Sequence, residues 1–366
     1  MIIDKLIAQN FRNYKNLDLL FNRNKPINVI ISPNGMGKSN LLELIYYFSY
    51  IRSFRNLYDK ELIKKGNKSF FIECEYNNNQ IDNKITIKYH KRKEIFINNK
   101  KVYKFSEVLG KLVTVLFCNE DIFIINGSPF IRRKFFDLLI STIDNKYLHY
   151  LRKYQELLKQ KNFILKNKSN DDLLPVYNTQ ISQIILYIQK KRDEIITEIN
   201  KIFQEVFSSI GLFDDKVKIV YSPSIKTSKD DHNEIIKFYN DNLNKELEYG
   251  FSIYGPHRDN YIFLINGIIF SKYASLGQTR LASIVLKFSQ SEYYKKIFNI
   301  APILLLDDVI LELDTERQKR VLDKISDYQQ MFITVTDKKY IKLFNNIDNI
   351  NQIEIEKGQI KTGIRD

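Results

Sequence analysis

Residues 28 to 39 of the chain read NVIISPNGMGKS, and this stretch is the most informative about the fold. The mostly apolar run at 28–31 predicts a strand, and an amphipathic pattern predicts a helix from about Lys38. Between them, residues 32–39 follow the pattern G-x-x-x-x-G-K-[ST], the phosphate-binding loop that joins a strand to a helix. Ser32 is the departure, because the pattern has its first glycine there. The sequence therefore predicts a phosphate-binding loop in an α/β domain.

The residue types of this loop suit the binding of a nucleotide. Successive backbone N–H groups and the helix N-terminus would surround the phosphates. The Lys38 ammonium would reach the β- and γ-phosphates, and the Ser39 hydroxyl would ligate Mg²⁺. The Cβ of Ser32 restricts the turn, which predicts a weaker or slower site; the alternative to the whole motif is an ordinary Asn-Gly turn before a helix. The candidate nucleotide-binding residues are Ser32, Pro33, Asn34, Gly35, Met36, Gly37, Lys38 and Ser39.

A second signal is the run ILLLDD at 303–308, a predicted buried strand that ends in paired carboxylates. Asp307 would hold Mg²⁺, directly or through water, and Asp308 would polarise the attacking water. The alternative is a strand that ends in a polar turn, with no link to the first motif. Together the two motifs predict a nucleoside triphosphatase with Lys38 and Asp308 as catalytic residues and Ser39 and Asp307 as metal ligands.

A third signal precedes the predicted helix 279–290, where Ser275, Gly277 and Gln278 occur. At a helix N-terminus these residues present a hydroxyl and free amides to an anion. The pattern is typical of the ABC-type signature, which completes the nucleotide site of a second protomer in a dimer. The alternative is a simple helix cap. The order along the chain, with this motif between the other two, favours the signature.

The composition of the 366 residues limits the class of protein. The 57 Lys and Arg residues exceed the 43 Asp and Glu residues, giving a formal charge of +14. This surplus favours a polyanionic partner such as a nucleic acid, although a general bias toward Lys, Asn and Ile is the alternative. Three basic runs, at 91–93, 132–134 and 190–192, are either DNA contacts or solvated surfaces.

Several classes are excluded by the sequence. An apolar fraction of 44% excludes a mostly disordered chain. No apolar run approaches the roughly 18–20 residues of a membrane-spanning helix, and the first residues show no secretory pattern. Cys74 and Cys118 form neither a disulfide framework nor a zinc pattern. We therefore expect a cytoplasmic protein that does not associate with membranes.

The order of predicted elements indicates two domains, one interrupted by the other. Residues 1–115 and 298–366 are predicted to form an α/β ATPase lobe that carries the first two motifs. Residues 116–297 are predicted to form a second, largely helical lobe that carries the signature. The predicted helices of 145–210 are too short for a long coiled coil, which needs many heptads.

Through nearly its whole length the chain resembles the RecF family of ABC/SMC-like ATPases. The resemblance implies an α/β, ABC-type P-loop ATPase head with a mainly helical inserted lobe and no long coiled coil. It also places Arg12, Asn34 and Asn40 near the nucleotide. The segments that carry it are Asn10–Tyr14, Asn40–Glu43, Gly127–Pro129, Arg132–Arg133, Phe136–Asp137, Tyr154 to Asn162, Tyr254–Asp259, Leu304–Asp308 and Glu312–Asp314.

The resemblance further implies a function. It implies ATP and Mg²⁺ as cofactors, a homodimer that forms on ATP binding, and a weak ATPase that DNA stimulates. Such a protein binds double-stranded DNA near gaps and assists recombinase loading with RecO- and RecR-type proteins in recombinational repair. Two alternatives are an ATP-responsive clamp with negligible turnover and a regulatory ATPase of a separate effector. Ser32, and Leu311 in place of a small polar residue, depart from the family pattern and concern the turnover rate.

Overall fold

The structure is a computed structural model that describes residues 1–167, 171–210, 215–227, 231–344 and 350–362. Its strands, in chain order, are β1 (Ile2–Phe11), β2 (Tyr14–Leu20), β3 (Ile27–Ile31), β4 (Phe70–Asn78), β5 (Ile81–Tyr89), β6 (Lys93–Ile97), β7 (Lys100–Val102), β8 (Thr114–Phe117), β9 (Val217–Ser222), β10 (Asn260–Ile265), β11 (Ile268–Ile269), β12 (Ile303–Leu306), β13 (Met331–Val335), β14 (Ile350–Glu356) and β15 (Gln359–Thr362).

The α-helices range from one turn to ten turns in length. The longest, at 37 residues, corresponds to about 55 Å at 1.5 Å per residue. In chain order they are α1 (Lys38–Tyr50), α2 (Ile122–Asn126), α3 (Pro129–Ile143), α4 (Asn145–Asn167), α5 (Leu174–Ile210), α6 (His232–Asp241), α7 (Leu243–Tyr249), α8 (Phe270–Tyr273), α9 (Leu276–Phe298) and α10 (Thr315–Ile325).

The chain divides into two units. Unit 1 consists of Met1–Glu120, Ser209–Gly211 and Lys287–Asp366, and unit 2 of Asp121–Ser208 and Leu212–Leu286. The divisions at 120/121 and 286/287 lie five and eleven residues from the positions 115/116 and 297/298 suggested by the sequence. The second division falls inside α9, a continuous helix in which no change of residue pattern marks a boundary.

A six-stranded sheet forms the centre of unit 1, in the order β15-β14-β3-β13-β12-β8. Its strands are parallel except for the hairpin of β14 and β15. Every residue of β3, β8, β12 and β13 is buried, as expected for parallel strands covered on both faces. Because β13 lies between β3 and β12, the carboxyl ends of these three strands meet at one edge, where ligands of such sheets bind.

The second sheet of unit 1 is antiparallel, in the order β2-β1-β4-β5-β6-β7. Burial alternates along β4, so that one face packs into the core and the other meets solvent. Turns with left-handed residues join the strands, as at Asn98 and Asn99, whose φ values are 48° and 65°. This is the hairpin geometry that the Asn-Asn pair predicts.

Unit 2 combines the helices α2 to α8 with a three-stranded antiparallel sheet, β11-β10-β9. Apolar residues at helical spacing along α5 are buried, among them Ile181, Ile188 and Ile199. Asn266 and Gly267 both have positive φ, so the turn between β10 and β11 is a type I′ turn, as the Asn-Gly pair favours.

A buried ion network ties the elements of unit 2 together. The Arg192 guanidinium on α5 is 1% exposed and lies 2.6 Å from Asp259 and 2.8 Å from Asp137. It also donates to the Tyr147 hydroxyl and to the Pro256 carbonyl oxygen. Since two carboxylates and two neutral acceptors satisfy it, the fully buried charge is tolerated.

None of the helices in the described ranges combines the length and apolar character needed to cross a bilayer.

Candidate functional site

The loop at 32–37 joins the carboxyl end of β3 to the start of α1. Gly35 and Gly37 have φ values of +80° and +119°, which only glycine adopts readily. A Cβ on Gly37 would lie 2.3 Å from Nδ2 of Asn13. Ser32 does not adopt a positive φ, so its Cβ introduces no backbone strain. The structural reason given above for a weaker site at Ser32 is therefore not supported.

Lys38 crosses this loop and is 4% exposed. Its ammonium donates to the Ser32 carbonyl oxygen at 2.8 Å and to Oδ1 of Asn34 at 3.3 Å. It also lies 3.6 Å from Oδ2 of Asp308. The ammonium therefore points across the loop toward the end of β12, and it can serve an anionic ligand there.

The Ser39 hydroxyl faces the Asp307 carboxylate. It donates to Oδ1 of Asp307 at 2.8 Å, and the Thr334 hydroxyl lies 3.1 Å from the same oxygen. Burial raises the pKa of Asp307, the Asp308 charge adds to this rise, and the two hydroxyls act against it. A hydroxyl and a carboxylate oxygen at this distance are the hard oxygen ligands that Mg²⁺ prefers. The residues present thus fit a magnesium ion.

Asp308 has a different environment from Asp307. Its side chain is 29% exposed, and its backbone has a left-handed φ of 55°. The Asp308 N–H donates to the Thr334 hydroxyl at 2.9 Å, which holds the turn after β12. Both carboxylates are partly exposed, so water reaches Asp308, as its proposed contact with a water molecule requires.

Two side chains brace the loop, Asn13 from the turn between β1 and β2 and Tyr14 from the start of β2. The Asn13 amide donates to the Met36 carbonyl oxygen at 3.0 Å and accepts from the Asn40 amide at 2.8 Å. The Tyr14 hydroxyl donates to the Gly37 carbonyl oxygen at 2.9 Å. These contacts hold the carbonyl groups of Met36 and Gly37 in place.

Arg12 lies beside α1, where the fully buried Glu43 anchors it. Nε of Arg12 is 3.0 Å from Oε2 of Glu43, and Nη1 of Arg55 is 3.7 Å from the same oxygen. The Ser53 hydroxyl donates to the other Glu43 oxygen. Arg55 also donates to Oδ1 of Asn40 at 2.8 Å. Glu43 therefore positions two arginines next to the loop helix.

The candidate signature residues lie in unit 2 at the start of α9. The Gln278 N–H donates to the Ser275 hydroxyl at 3.2 Å, and the Gln278 side chain accepts from the Ser275 N–H at 2.9 Å. This is a reciprocal helix cap. The position of a Cβ on Gly277 is open apart from the Ser275 hydroxyl at 4.0 Å. The cap uses the Ser275 oxygen as an acceptor and leaves its O–H free to donate.

The chain was compared with known proteins. The family described as "RecF/RecN/SMC N terminal domain" matches residues 2–361. A protein of Clostridium acetobutylicum named DNA replication and repair protein RecF is 35% identical over 98% of this chain and 99% of its own length. The chain belongs to the RecF family. A RecF of Clostridium kluyveri is 37% identical, over 98% of this chain and 99% of that protein.

Solved structures agree with the RecF assignment. The structure described as the recombination mediator protein RecF-ATPrS in the RecFOR pathway matches with a TM-score of 0.89 and 31% identity, covering 98% of this chain and 97% of that one. An Smc head bound to the C-winged helix domain of ScpA matches with a TM-score of 0.59 at 16% identity, which shows the fold alone. The predicted ABC-type head with a helical insertion and no long coiled coil is confirmed, as is the resemblance to RecF.

Several residues of the candidate site were not predicted from the sequence. Thr334 contacts both carboxylates, and its only signal was a single polar residue inside the apolar run at 331–335. Asn13 lies in the segment Asn10–Tyr14, which resembles the RecF family. Its contact with the loop, however, depends on the end of β1 lying beside α1. Arg55 belongs to no sequence motif, and its contact with Glu43 is visible only in the structure.

Proposed function

We propose that this chain binds ATP with Mg²⁺ at the loop 32–39 and hydrolyses it. The single observation that supports this most is the convergence of Lys38, Ser39, Asp307 and Asp308 at one sheet edge. Motifs 268 positions apart in the sequence come within hydrogen-bond distance there. Loop N–H groups and the α1 N-terminus bind phosphates, and the Lys38 ammonium neutralises the β- and γ-phosphates. Arg12 and Asn40 lie beside this loop.

Ser39 and Asp307 would hold Mg²⁺, which supplies positive charge against the developing charge of the phosphates. Asp308 positions the attacking water and accepts its proton. The Thr334 hydroxyl lies 3.1 Å from an oxygen of each carboxylate and donates its proton to one of them at a time. Since the chemistry of phosphoryl transfer depends on positioning and electrostatics, this small set of groups is sufficient.

The signature residues support a dimer that closes on ATP. The O–H of Ser275 and the backbone N–H of Gly277 lie at an exposed helix N-terminus, which can bind an anion. In the proposed dimer they would bind the nucleotide held by Lys38 and Ser39 of the partner. ATP then stabilises the closed dimer because it contacts both protomers there and only one in the open state.

The family and the charge support a DNA-binding role. Two relatives at 35% and 37% identity carry the name DNA replication and repair protein, and one similar structure belongs to the RecFOR pathway. A formal charge of +14 suits a polyanionic partner. We infer that the dimer binds double-stranded DNA near gaps and assists recombinase loading with RecO- and RecR-type proteins.

The mass of the Asp308→Asn protein in solution, with and without Mg-ATP, tests this proposal. The variant keeps the phosphate-binding groups and loses the group that activates water, so ATP should convert it from monomer to dimer and keep it there. The Lys38→Met variant is the matched control and should remain a monomer. A mass that ATP does not change would eliminate the dimer switch and leave Ser275 as a helix cap.

The Lys38–Asp308 contact favours a second candidate, an ATP-responsive clamp with negligible turnover. The Lys38 ammonium lies 3.6 Å from Oδ2 of Asp308, so the carboxylate that would orient the attacking water is already held in an ion pair. Steady-state phosphate release with and without duplex DNA separates the two. Release that DNA raises severalfold supports the ATPase, and release at the level of the Asp308→Asn variant supports the clamp.

A further inference from the structure

Two basic segments of unit 1 form what we call the basic edge, residues 64–69 and 88–93. They read KKGNKS and KYHKRK, with seven Lys or Arg residues, one His and no Asp or Glu. These twelve positions therefore carry a formal charge of +7, half of the +14 of the whole chain. Basic segments are often only solvated surface, so their position in the fold is needed to distinguish a binding surface from a solvated one.

The antiparallel sheet brings the two segments together. The first segment leads into β4 and the second ends β5, and Phe70 of β4 pairs with Tyr89 of β5. Paired strands lie about 5 Å apart, so both segments emerge at the same end of the sheet. The Lys64 N–H donates to the Asn10 carbonyl oxygen and its ammonium to that of Asn13. The first segment is thereby fixed against the end of β1.

The exposed cations of the basic edge lack partners. Lys65, Lys68, Lys91 and Arg92 are exposed, and within the described ranges none of the four forms an ion pair with a carboxylate. The other two basic runs differ. Arg192 is buried between two carboxylates, and Arg132 and Arg133 donate to backbone and side-chain oxygens of unit 2. Within the run at 91–93, Lys93 pairs with Asp59 at 2.9 Å, whereas Lys91 and Arg92 are exposed cations without an ion pair in the described ranges.

The surface beside these cations is concave. A cavity of about 390 Å³ is lined by residues of β1, β4, β5 and β6, Lys88 among them, and by Ser69, His90 and Arg92 from the segments next to these strands. The Lys88 ammonium lies between the rings of Phe71 and Phe96, 5.9 and 5.5 Å from their centroids. Glu94 is the acidic residue of the lining, and Lys101 neutralises it. The hollow is therefore a polar, net positive depression flanked by free cations.

We propose that the basic edge contacts the sugar–phosphate backbone of duplex DNA, an inference that rests on the proposed DNA-binding function. Lysine ammoniums are point charges that bind phosphates without a fixed geometry, and contacts of this kind position a protein on DNA irrespective of sequence. Each phosphate they neutralise releases counterions, so the contribution of the edge depends steeply on salt.

The test replaces Lys65, Lys68, Lys91 and Arg92 by Gln and measures binding of a labelled 30-base-pair duplex with Mg-ATP between 50 and 200 mM KCl. A slope of about −0.9 per phosphate contact predicts a salt dependence flatter by about 3 to 4, with affinity at least about tenfold lower near 100 mM. The double variant Lys91→Gln/Arg92→Gln should flatten the slope by about 2. The matched control replaces four exposed lysines of unit 2, Lys153, Lys159, Lys237 and Lys245, by Gln, and should bind within twofold of the parent.

The outcomes are distinguishable. ATP affinity and the thermal midpoint of the edge variant should equal those of the parent, because the four side chains are exposed. If the parent binds the duplex and the edge variant binds it with the same affinity and the same salt slope, the proposed DNA contact of the basic edge is wrong, while the proposed DNA-binding function stands. Equal losses in the edge and control variants also overturn it, since only net charge would then matter. A parent that binds no duplex overturns the proposed function and this surface with it.

Discussion

The Ser39 hydroxyl donates a 2.8 Å hydrogen bond to Oδ1 of Asp307. The two residues follow β3 and β12, which are separated in the sheet by β13, and Thr334 of β13 completes the contact. The parallel arrangement of β3, β13 and β12 thus brings the Ser39 hydroxyl of the phosphate-binding loop next to the Asp307 carboxylate. It also places a negative charge in a poorly solvated position, which costs stability when no cation is bound.

Asp307→Asn should stabilise the protein in the absence of nucleotide and abolish Mg²⁺-dependent hydrolysis. Burial raises the pKa of Asp307 in the folded state, so folding favours its protonated form and the ionised form costs free energy above both pKa values. The gain from Asn, about 0.5–2 kcal/mol, should be full at pH 7–8 and vanish below about pH 3.9, the value of an unfolded Asp. Thermal midpoints of the parent and the variant across pH measure it. A variant less stable than the parent at pH 7.5 would contradict the argument.

Lys38→Met should weaken ATP binding about ten- to hundredfold, the loss expected for a charge-assisted contact worth about 1.5–3 kcal/mol. Methionine fills the same buried volume without the charge. Equilibrium binding of ATP measured by calorimetry gives the effect, and Lys319→Met, an exposed lysine of α10, is the control. Parental affinity in Lys38→Met would show that the loop does not bind phosphate through this residue.

Ser32→Gly should leave the hydrolysis rate within about threefold of the parent. Ser32 does not require a left-handed φ, so glycine relieves no strain, and it adds backbone freedom to the unfolded chain at a cost of up to about 1 kcal/mol. Phosphate release and the thermal midpoint together report the result. A rate that rises tenfold or more would show that the missing glycine limits turnover after all.

Ser275→Asp separates the two meanings of the signature motif. Aspartate caps a helix as well as serine does, so the fold of unit 2 should keep its stability, but its charge repels the phosphates of a nucleotide. We expect the Ser275→Asp form of the Asp308→Asn protein to bind ATP normally and remain a monomer in sedimentation or light scattering. Ser275→Ala loses the cap and should lower stability by about 1 kcal/mol. Dimerisation of the aspartate variant on ATP would leave Ser275 a structural cap.

Arg192→Met should destabilise the chain by about 3–5 kcal/mol, because it leaves Asp137 and Asp259 close together without their cation. Urea unfolding monitored by circular dichroism measures the loss. The neighbouring Lys191→Met is the control: its ion pairs are partly exposed, so it should cost less than about 1 kcal/mol. Equal effects of the two variants would show that the network adds nothing specific.

The motifs of the candidate site and the class of fold were both predicted from the sequence, and the class of fold is confirmed. A strand, a loop with glycines at 35 and 37, and a helix that begins with Lys38 form one local unit, since short-range backbone constraints fix it. The apolar run before Asp307 likewise predicts a buried parallel strand. These patterns are local, and the order of the three motifs along the chain favoured an ABC-type ATPase.

Which side chains contact one another in the site depends on the tertiary structure. Thr334 bridges the two carboxylates because β13 lies between β3 and β12, and Asn13 braces the loop because β1 ends beside α1. Arg192 of one basic run is buried between two carboxylates from distant parts of the chain, whereas Lys91 and Arg92 of a similar run are exposed. Contacts of this kind depend on strand order, register and burial. These are set by the packing of the whole chain, and no single segment encodes them.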